Sequence, residues 1–260
     1  MLPLRLADYP SVTVLSPHLD DAALSCGALI FDASRVGCDI QVVTVFGGAP
    51  TLPISESAKS FHDACGLSDE RAMHERSSED DRALAVLGAR SERLNLLEAL
   101  YRVNSSGESC YDFEGAVFQG DVLDEGQELE RVTAQLTVVL DRLDPDLVVA
   151  PLGIGNHIDH LLVSAAAKRL GRRFLFYEDV PYVTIGRFDG WRREFPAGEA
   201  RIHDCSAEAW AAKIKSIECY SSQLEVLWFN PQSWRNDLAS YASSVSHGNR
   251  AERYWTFCEE

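Results

Sequence analysis

Short apolar, β-branched runs alternate with longer stretches of helical spacing along most of this chain. Val12-Thr13-Val14-Leu15 stops at Ser16-Pro17, and apolar residues at helical spacing follow from 21 to about 35. A strand, a turn and a helix are expected. Ile40 to Phe46 reads as a second strand, stopped by Gly47-Gly48, and the resulting βαβ unit predicts a parallel sheet with a right-handed crossover. Residues 49–67 are polar and carry Pro and Ser, so a loop with one short helix is expected there. A helical pattern over 74–87 is closed by Gly88, and Leu94-Asn95-Leu96-Leu97 suggests a third strand.

Gly, Ser, Asp and Glu accumulate over 101–125, the signature of a surface excursion, before a helix over 126–143. A buried-type strand over 146–150 then runs into the turn-rich Pro151-Leu152-Gly153-Ile154-Gly155-Asn156. A helix over 159–170 and a strand over 173–177 follow. Residues 186–204 look irregular, 206–222 helical, and the remainder mixed with many aromatics. No repeat is visible. The pattern predicts one α/β domain over 1–260, with a less regular C-terminal portion from about 186.

The chain has 260 residues, enough to bury a sizeable core. Its 24 Lys and Arg against 40 Asp and Glu give a net charge of −16, a field that repels phosphate backbones and anionic lipids. Nucleic acid is therefore not an expected partner. The apolar runs are far shorter than the roughly 20 residues of a membrane span, and no signal-peptide h-region opens the chain, so a cytoplasmic protein without a membrane partner is expected. Seven cysteines form no CxxC pair, which points to reduced thiols.

Two polar clusters change the picture from fold to chemistry. Ser16-Pro17-His18-Leu19-Asp20-Asp21 follows the first of these strands, and His157-Ile158-Asp159-His160 follows the strand that ends near 150. Ligands in open α/β sheets bind at the C-terminal edge of the strands, so the two clusters are expected to converge. His18, Asp21 and His160 would supply two imidazoles and one carboxylate, the three protein ligands of a catalytic zinc with a position left for water. Asp20 is then free to act as general base on that water. His157 would donate to the oxyanion or protonate the leaving group, and Asp159 would orient a histidine. Each cluster alone has a plainer reading: Asp20 or Asp21 as a helix cap, and the two histidines as a surface pair.

These residues resemble the GlcNAc-phosphatidylinositol de-N-acetylase family, also called LmbE-like or PIG-L-like deacetylases. Its Pro-His-Pro-Asp-Asp-Glu pattern is matched by Pro17-His18-Leu19-Asp20-Asp21-Ala22, and its His-Pro-Asp-His by His157-Ile158-Asp159-His160. Arg76-x-x-Glu79-Asp80 is similar to the family's Arg-x-x-Glu helix, and Lys213 to Gln223 to its Lys…Tyr-x-Ser-Gln segment. The resemblance implies a Rossmann-like, mostly parallel sheet with helices on both faces. It also implies Zn2+ held by His18, Asp21 and His160, Asp20 as base, and His157 as oxyanion-stabilising or acid residue. Arg76 either touches a substrate hydroxyl or forms an i,i+3 pair with Glu79 on a solvated face.

The implied reaction is removal of an N-acetyl group from an amino sugar or small glycoside, with an inactive sugar-binding protein as the rival reading. A small-molecule N-acylated sugar is the expected partner, and a homo-oligomer is left open. Leu19 and Ala22 depart from the pattern, as does Gly155, where some members carry a tyrosine. Residues 177–182 either line the same crevice or form a polar loop whose Asp caps a turn. Lys213, Tyr220 and Gln223 are expected to share a structural helix face. Trp228, Trp234 and Trp255 offer either a sugar-stacking surface or core.

Overall fold

The computed structural model describes residues 2–257 apart from 114, 120, 123–124, 186–197, 229 and 247. In chain order the strands are β1 (Leu2–Pro3), β2 (Ser11–Ser16), β3 (Asp39–Thr44), β4 (Arg90–Arg93), β5 (Leu147–Pro151), β6 (Phe174–Tyr177), β7 (Glu199–Asp204) and β8 (Ala251–Thr256). The helices are α1 (Asp21–Arg35), α2 (Glu56–Ala64), α3 (Ala72–Leu87), α4 (Gly126–Leu143), α5 (Ile158–Arg169), α6 (Tyr182–Ile185), α7 (Ala207–Ile217), α8 (Leu224–Leu227) and α9 (Trp234–Val245).

All eight strands form one sheet in the order β1-β7-β8-β6-β5-β2-β3-β4. Every pairing is parallel except the two made by β8. From β2 the chain moves outward through β3 to β4, then returns to β2's other side for β5 and β6. The strand order therefore reverses between β2 and β5, and a crevice opens at their C-terminal ends. Both histidine clusters leave the sheet there.

The central strands are buried on both faces, and their apolar residues divide between two layers. Leu15, Val43, Val45 and Val148 pack on α4 and α5, while Val12, Val14, Val42 and Val149 pack on α1 and α3. Beneath α1, Lys213 of α7 and Glu252 of β8 form a buried ion pair at 2.6 Å. Glu252 also accepts hydrogen bonds from the Ala28 and Leu29 amides. Gly27 makes this approach possible, because a Cβ there would lie 2.9 Å from Lys213 Cγ.

The structure corrects four expectations. The strand expected over 94–97 lies at β4 instead, an edge strand whose Arg-Ser-Glu-Arg sequence has no apolar alternation. Leu94 to Leu97 form the loop that follows it. Within the expected irregular stretch 186–204, residues 186–197 lie outside the described residues and β7 occupies 199–204. The helix expected over 206–222 ends at Ile217. Lys213 therefore sits on α7, while Tyr220 and Gln223 lie beyond its end and share no helix face with it. Among the described residues no helix is long and apolar enough to cross a membrane, and the six described cysteines are unpaired.

Candidate metal centre

At the β2–α1 turn Ser16, not an aspartate, caps the helix. Its Oγ accepts from the Ala22 amide at 2.9 Å and donates to the His18 carbonyl at 2.6 Å. Asp20 occupies the N-cap position but makes no capping hydrogen bond. Asp21 Oδ2 accepts from the His18 amide at 2.7 Å and lies 3.3 Å from His18 Nδ1. The helix-cap reading of the two aspartates thus gives way to one that leaves Asp20 available. Leu19, in place of the family's proline, is fixed by packing with Ala58, Met73 and Tyr101, and Ala22 is core.

Across the switch point, His157 is the N-cap of α5 and its Nδ1 accepts from the Asp159 amide at 3.2 Å. An accepting Nδ1 places the ring proton of the neutral imidazole on Nε2. Burial, then the nearby His18, holds the His157 pKa well below its ordinary value, so the ring stays neutral. One turn on, His160 is 1 % exposed, which removes the surface-pair reading. Gly155 has φ +96°, and a Cβ there would stand 2.4 Å from Tyr182 Cγ. The ring of Tyr182 fills the space that a side chain at 155 would need.

The two turns meet on Asp21. His18 Nδ1 and His160 Nε2 each stand 3.3 Å from Asp21 Oδ2, and one ligand atom from each of the three residues falls within 4.8 Å of the others. Behind each imidazole is a carboxylate. His18 Nε2 bonds Asp159 Oδ2 at 2.9 Å, and Asp159 is held in turn by Arg102 Nη1 at 2.7 Å and the Ala99 amide at 2.9 Å. His160 Nδ1 bonds Asp179 Oδ1 at 2.7 Å, and Asp179 Oδ2 accepts from the Gly153 and Ile154 amides, both at 2.8 Å. These partners turn His18 Nδ1 and His160 Nε2 toward Asp21.

Electrostatics favours a cation at that point. Among the described residues, the buried carboxylates of Asp20, Asp21, Glu98, Asp159 and Asp179 face the two buried guanidiniums of Arg76 and Arg102. Burial opposes ionisation of Asp21, yet His160 and His18 hold its pKa well below the usual range. Burial and then Asp21 push Asp20 up to about 7, against Arg76 and His18. Burial lowers His160, but Asp21 and Asp179 reverse this and carry it to about 9. His160 Nε2 is buried without a hydrogen-bond partner. An orphaned imidazole nitrogen, a second imidazole and a carboxylate in an acidic surround fit a divalent cation of the zinc type. A second possible grouping, His18 with His157 and Asp159, fits less well, because Asp159 already serves Arg102, His18 and the Ala99 amide.

Arg76 is buried and pairs with Glu98 at 2.8 Å, not with Glu79. Glu79 is buried too, accepting from Ser221 Oγ, Ser222 N and Ser222 Oγ, while Tyr220 donates to Asp80. The solvated i,i+3 pair is therefore replaced by a seam joining α3 to the segment after α7. A chain Asp69–His62–Tyr101, with two contacts of 2.8 Å, ends beside Arg76. Trp228 and Trp234 are core residues, 2 % exposed, and Trp255 bonds Glu178. None of the three lines the cavity at the site. Asp179, Arg102 and Glu98 carry no motif of their own. The signal for Asp179 was its position just past an apolar strand, the same position held by the two histidine clusters.

A cavity of about 760 Å³ opens over the centre, lined by His18, Asp20, Asp21, Arg76, Glu98 and His157 on its polar side. The profile of the family described as PIG-L, GlcNAc-PI de-N-acetylase, matches residues 13–170. The 2'-N-acetylparomamine deacetylase of Niallia circulans is 32 % identical over 205 residues, covering 72 % of this chain and 74 % of that one. A teicoplanin deacetylase solved in a zinc-inhibited form superposes with a TM-score of 0.86 at 30 % identity, covering 94 % of this chain and 97 % of the other. The A40926 pseudoaglycone deacetylase Dbv21 gives 0.80 at 27 % identity, covering 96 % and 99 %.

Proposed function

The chain belongs to the GlcNAc-PI de-N-acetylase (PIG-L) family, and from that premise we propose that it hydrolyses the N-acetyl group of an amino sugar or small glycoside, with zinc as its metal. We read residues 1–260 as one deacetylase domain. The observation that carries the reading is the convergence of His18 Nδ1 and His160 Nε2 on Asp21, with Asp20 beside them making no capping hydrogen bond.

His18, Asp21 and His160 would hold the ion. A divalent cation there makes water more acidic and polarises an amide carbonyl. Asp20 takes the proton from the attacking water as the C–O bond forms. His157 donates its Nε2–H to the developing oxyanion, a role that suits a neutral ring with Nδ1 already occupied. Collapse breaks the C–N bond, and the proton held by Asp20 passes to the departing nitrogen, giving a free amine and acetate. Arg76, held by Glu98, presents a guanidinium to sugar hydroxyls; its Nε is buried without a partner.

Acetate release from a panel of N-acetylated sugars, measured before and after chelation and after zinc is restored, tests this. Chelator-sensitive release, with Asp20→Asn keeping metal but losing turnover, is expected. A zinc-loaded protein that releases no acetate from any member of the panel contradicts it.

A further inference from the structure

At the edge of the sheet opposite the metal centre, the strands do not close. β6 pairs with β5 over Phe174–Tyr177 but with β8 only at Phe176 and Tyr177. The sheet therefore stands open beside Phe174 and Leu175, and a cavity of about 820 Å³ occupies the gap. Its walls include Leu147, Phe174 and Glu199, each the first residue of its strand, whereas the metal centre lies past the C-terminal ends of β2 and β5. The two are separate places on the molecule. The volume is in the range of pockets that enclose small organic molecules.

Charge sets the character of this cavity. In a chain of net charge −16, the described lining carries four cationic side chains, Lys168, Arg172, Arg173 and Arg201, against the carboxylate of Glu199. Arg201 Nη2 pairs with Glu199 at 2.8 Å, and its Nη1 is buried without a hydrogen-bond partner. Arg172 turns to Asp141, outside the lining, while Arg173 makes no ion pair among the described residues. Aromatic rings lie beside the charges. Phe176 meets Phe174 at 5.9 Å and Phe257 at 5.3 Å, and Lys168 Nζ stands over Phe176 and Phe257 at 5.7 and 5.9 Å.

We propose that this cavity binds a small aromatic anion, a ring that carries a phosphate or carboxylate group. A guanidinium with a spare buried donor suits an oxyanion, and a neutral ring would leave that donor unmet. A bare inorganic anion would leave the phenylalanines in water. Long polyanions are disfavoured, because beyond a Debye length of about 8 Å they meet the negative field of the whole chain and not these four cations.

Titration calorimetry on the zinc-loaded protein tests this by comparing phenyl phosphate with its two halves, phenol and inorganic phosphate. Phenyl phosphate is expected to bind saturably, at least about tenfold more tightly than either half. Arg201→Met should weaken it about tenfold, and Arg173→Ala, at an exposed position whose change spares the fold, about threefold. The His18→Ala, His160→Ala double variant should bind it unchanged. Binding lost in that double variant places the anion at the metal centre and overturns the proposal. So do equal affinities for phenyl phosphate and inorganic phosphate, or an affinity unmoved by both arginine variants. Sedimentation at rising protein concentration checks the rival occupant: self-association abolished by Arg173→Ala, with no phenyl phosphate bound, gives the surface to a second copy of the chain and overturns the anion site.

Discussion

His18 and His160 reach the same carboxylate from opposite sides of the switch point, and each is backed by an aspartate, yet the two arms are built differently. Asp159, behind His18, is balanced by the full charge of Arg102. Asp179, behind His160, is balanced by two backbone amides of the loop that leads into α5. The first arm depends on one long side chain from the segment after β4. The second is supported by the β5–α5 loop itself. The difference teaches that one orienting role, fixing an imidazole tautomer, can be carried by an ion pair or by dipoles. Removing the support should therefore have different costs in the two arms.

The largest effect should erase the difference. His18→Ala or His160→Ala removes one of three ligands, and either should lower acetate release by at least ~10⁴-fold, with metal content falling in parallel. Next comes the change that should separate the arms. Arg102→Met leaves the fully buried Asp159 carboxylate without its counter-charge, and a cost of about 3–5 kcal/mol is expected in denaturant unfolding. No single side-chain deletion around Asp179 has this counterpart, because its balancing donors are main-chain amides.

Smaller effects sharpen the contrast. Asp179→Asn and Asp159→Asn should each weaken zinc binding by about 10–100-fold in equilibrium dialysis. Only Asp159→Asn should also lower unfolding stability markedly, since it strands the Arg102 charge; equal stability losses in the two variants would break the comparison. The smallest effect concerns neither arm. Tyr101→Phe cuts the chain from His62 to Arg76, and should raise KM by roughly two- to tenfold with kcat nearly unchanged.

Much of this was legible in the sequence where burial is two-sided. β2, β3, β5 and β6 are near-continuous apolar runs, so their existence and the expectation of a parallel sheet followed from pattern, and the clusters past β2 and β5 inherited their place from topology. β4 and β7 were missed because short, charged sequences such as Arg-Ser-Glu-Arg carry no period that distinguishes an edge strand from a loop. The three metal-binding candidates come from two short strings whose residue types announce their chemistry. Their supports do not. Asp159 lay inside a string, whereas Asp179, Arg102 and Glu98 reach the site only through β6 and the turn after β4. Of the two readings the tryptophans offered, Trp228 and Trp234 take the core one, in the cluster that joins α7 to α9, while Trp255 packs at the other layer and bonds Glu178.

Metal binding itself tests the central claim most directly. Zinc titrated into metal-free wild-type protein, His18→Ala, His160→Ala and the double variant should saturate at one ion per chain in the wild type and be lost in all three variants. Tight retention of zinc by the double variant would contradict the convergence of the two arms on a single ion.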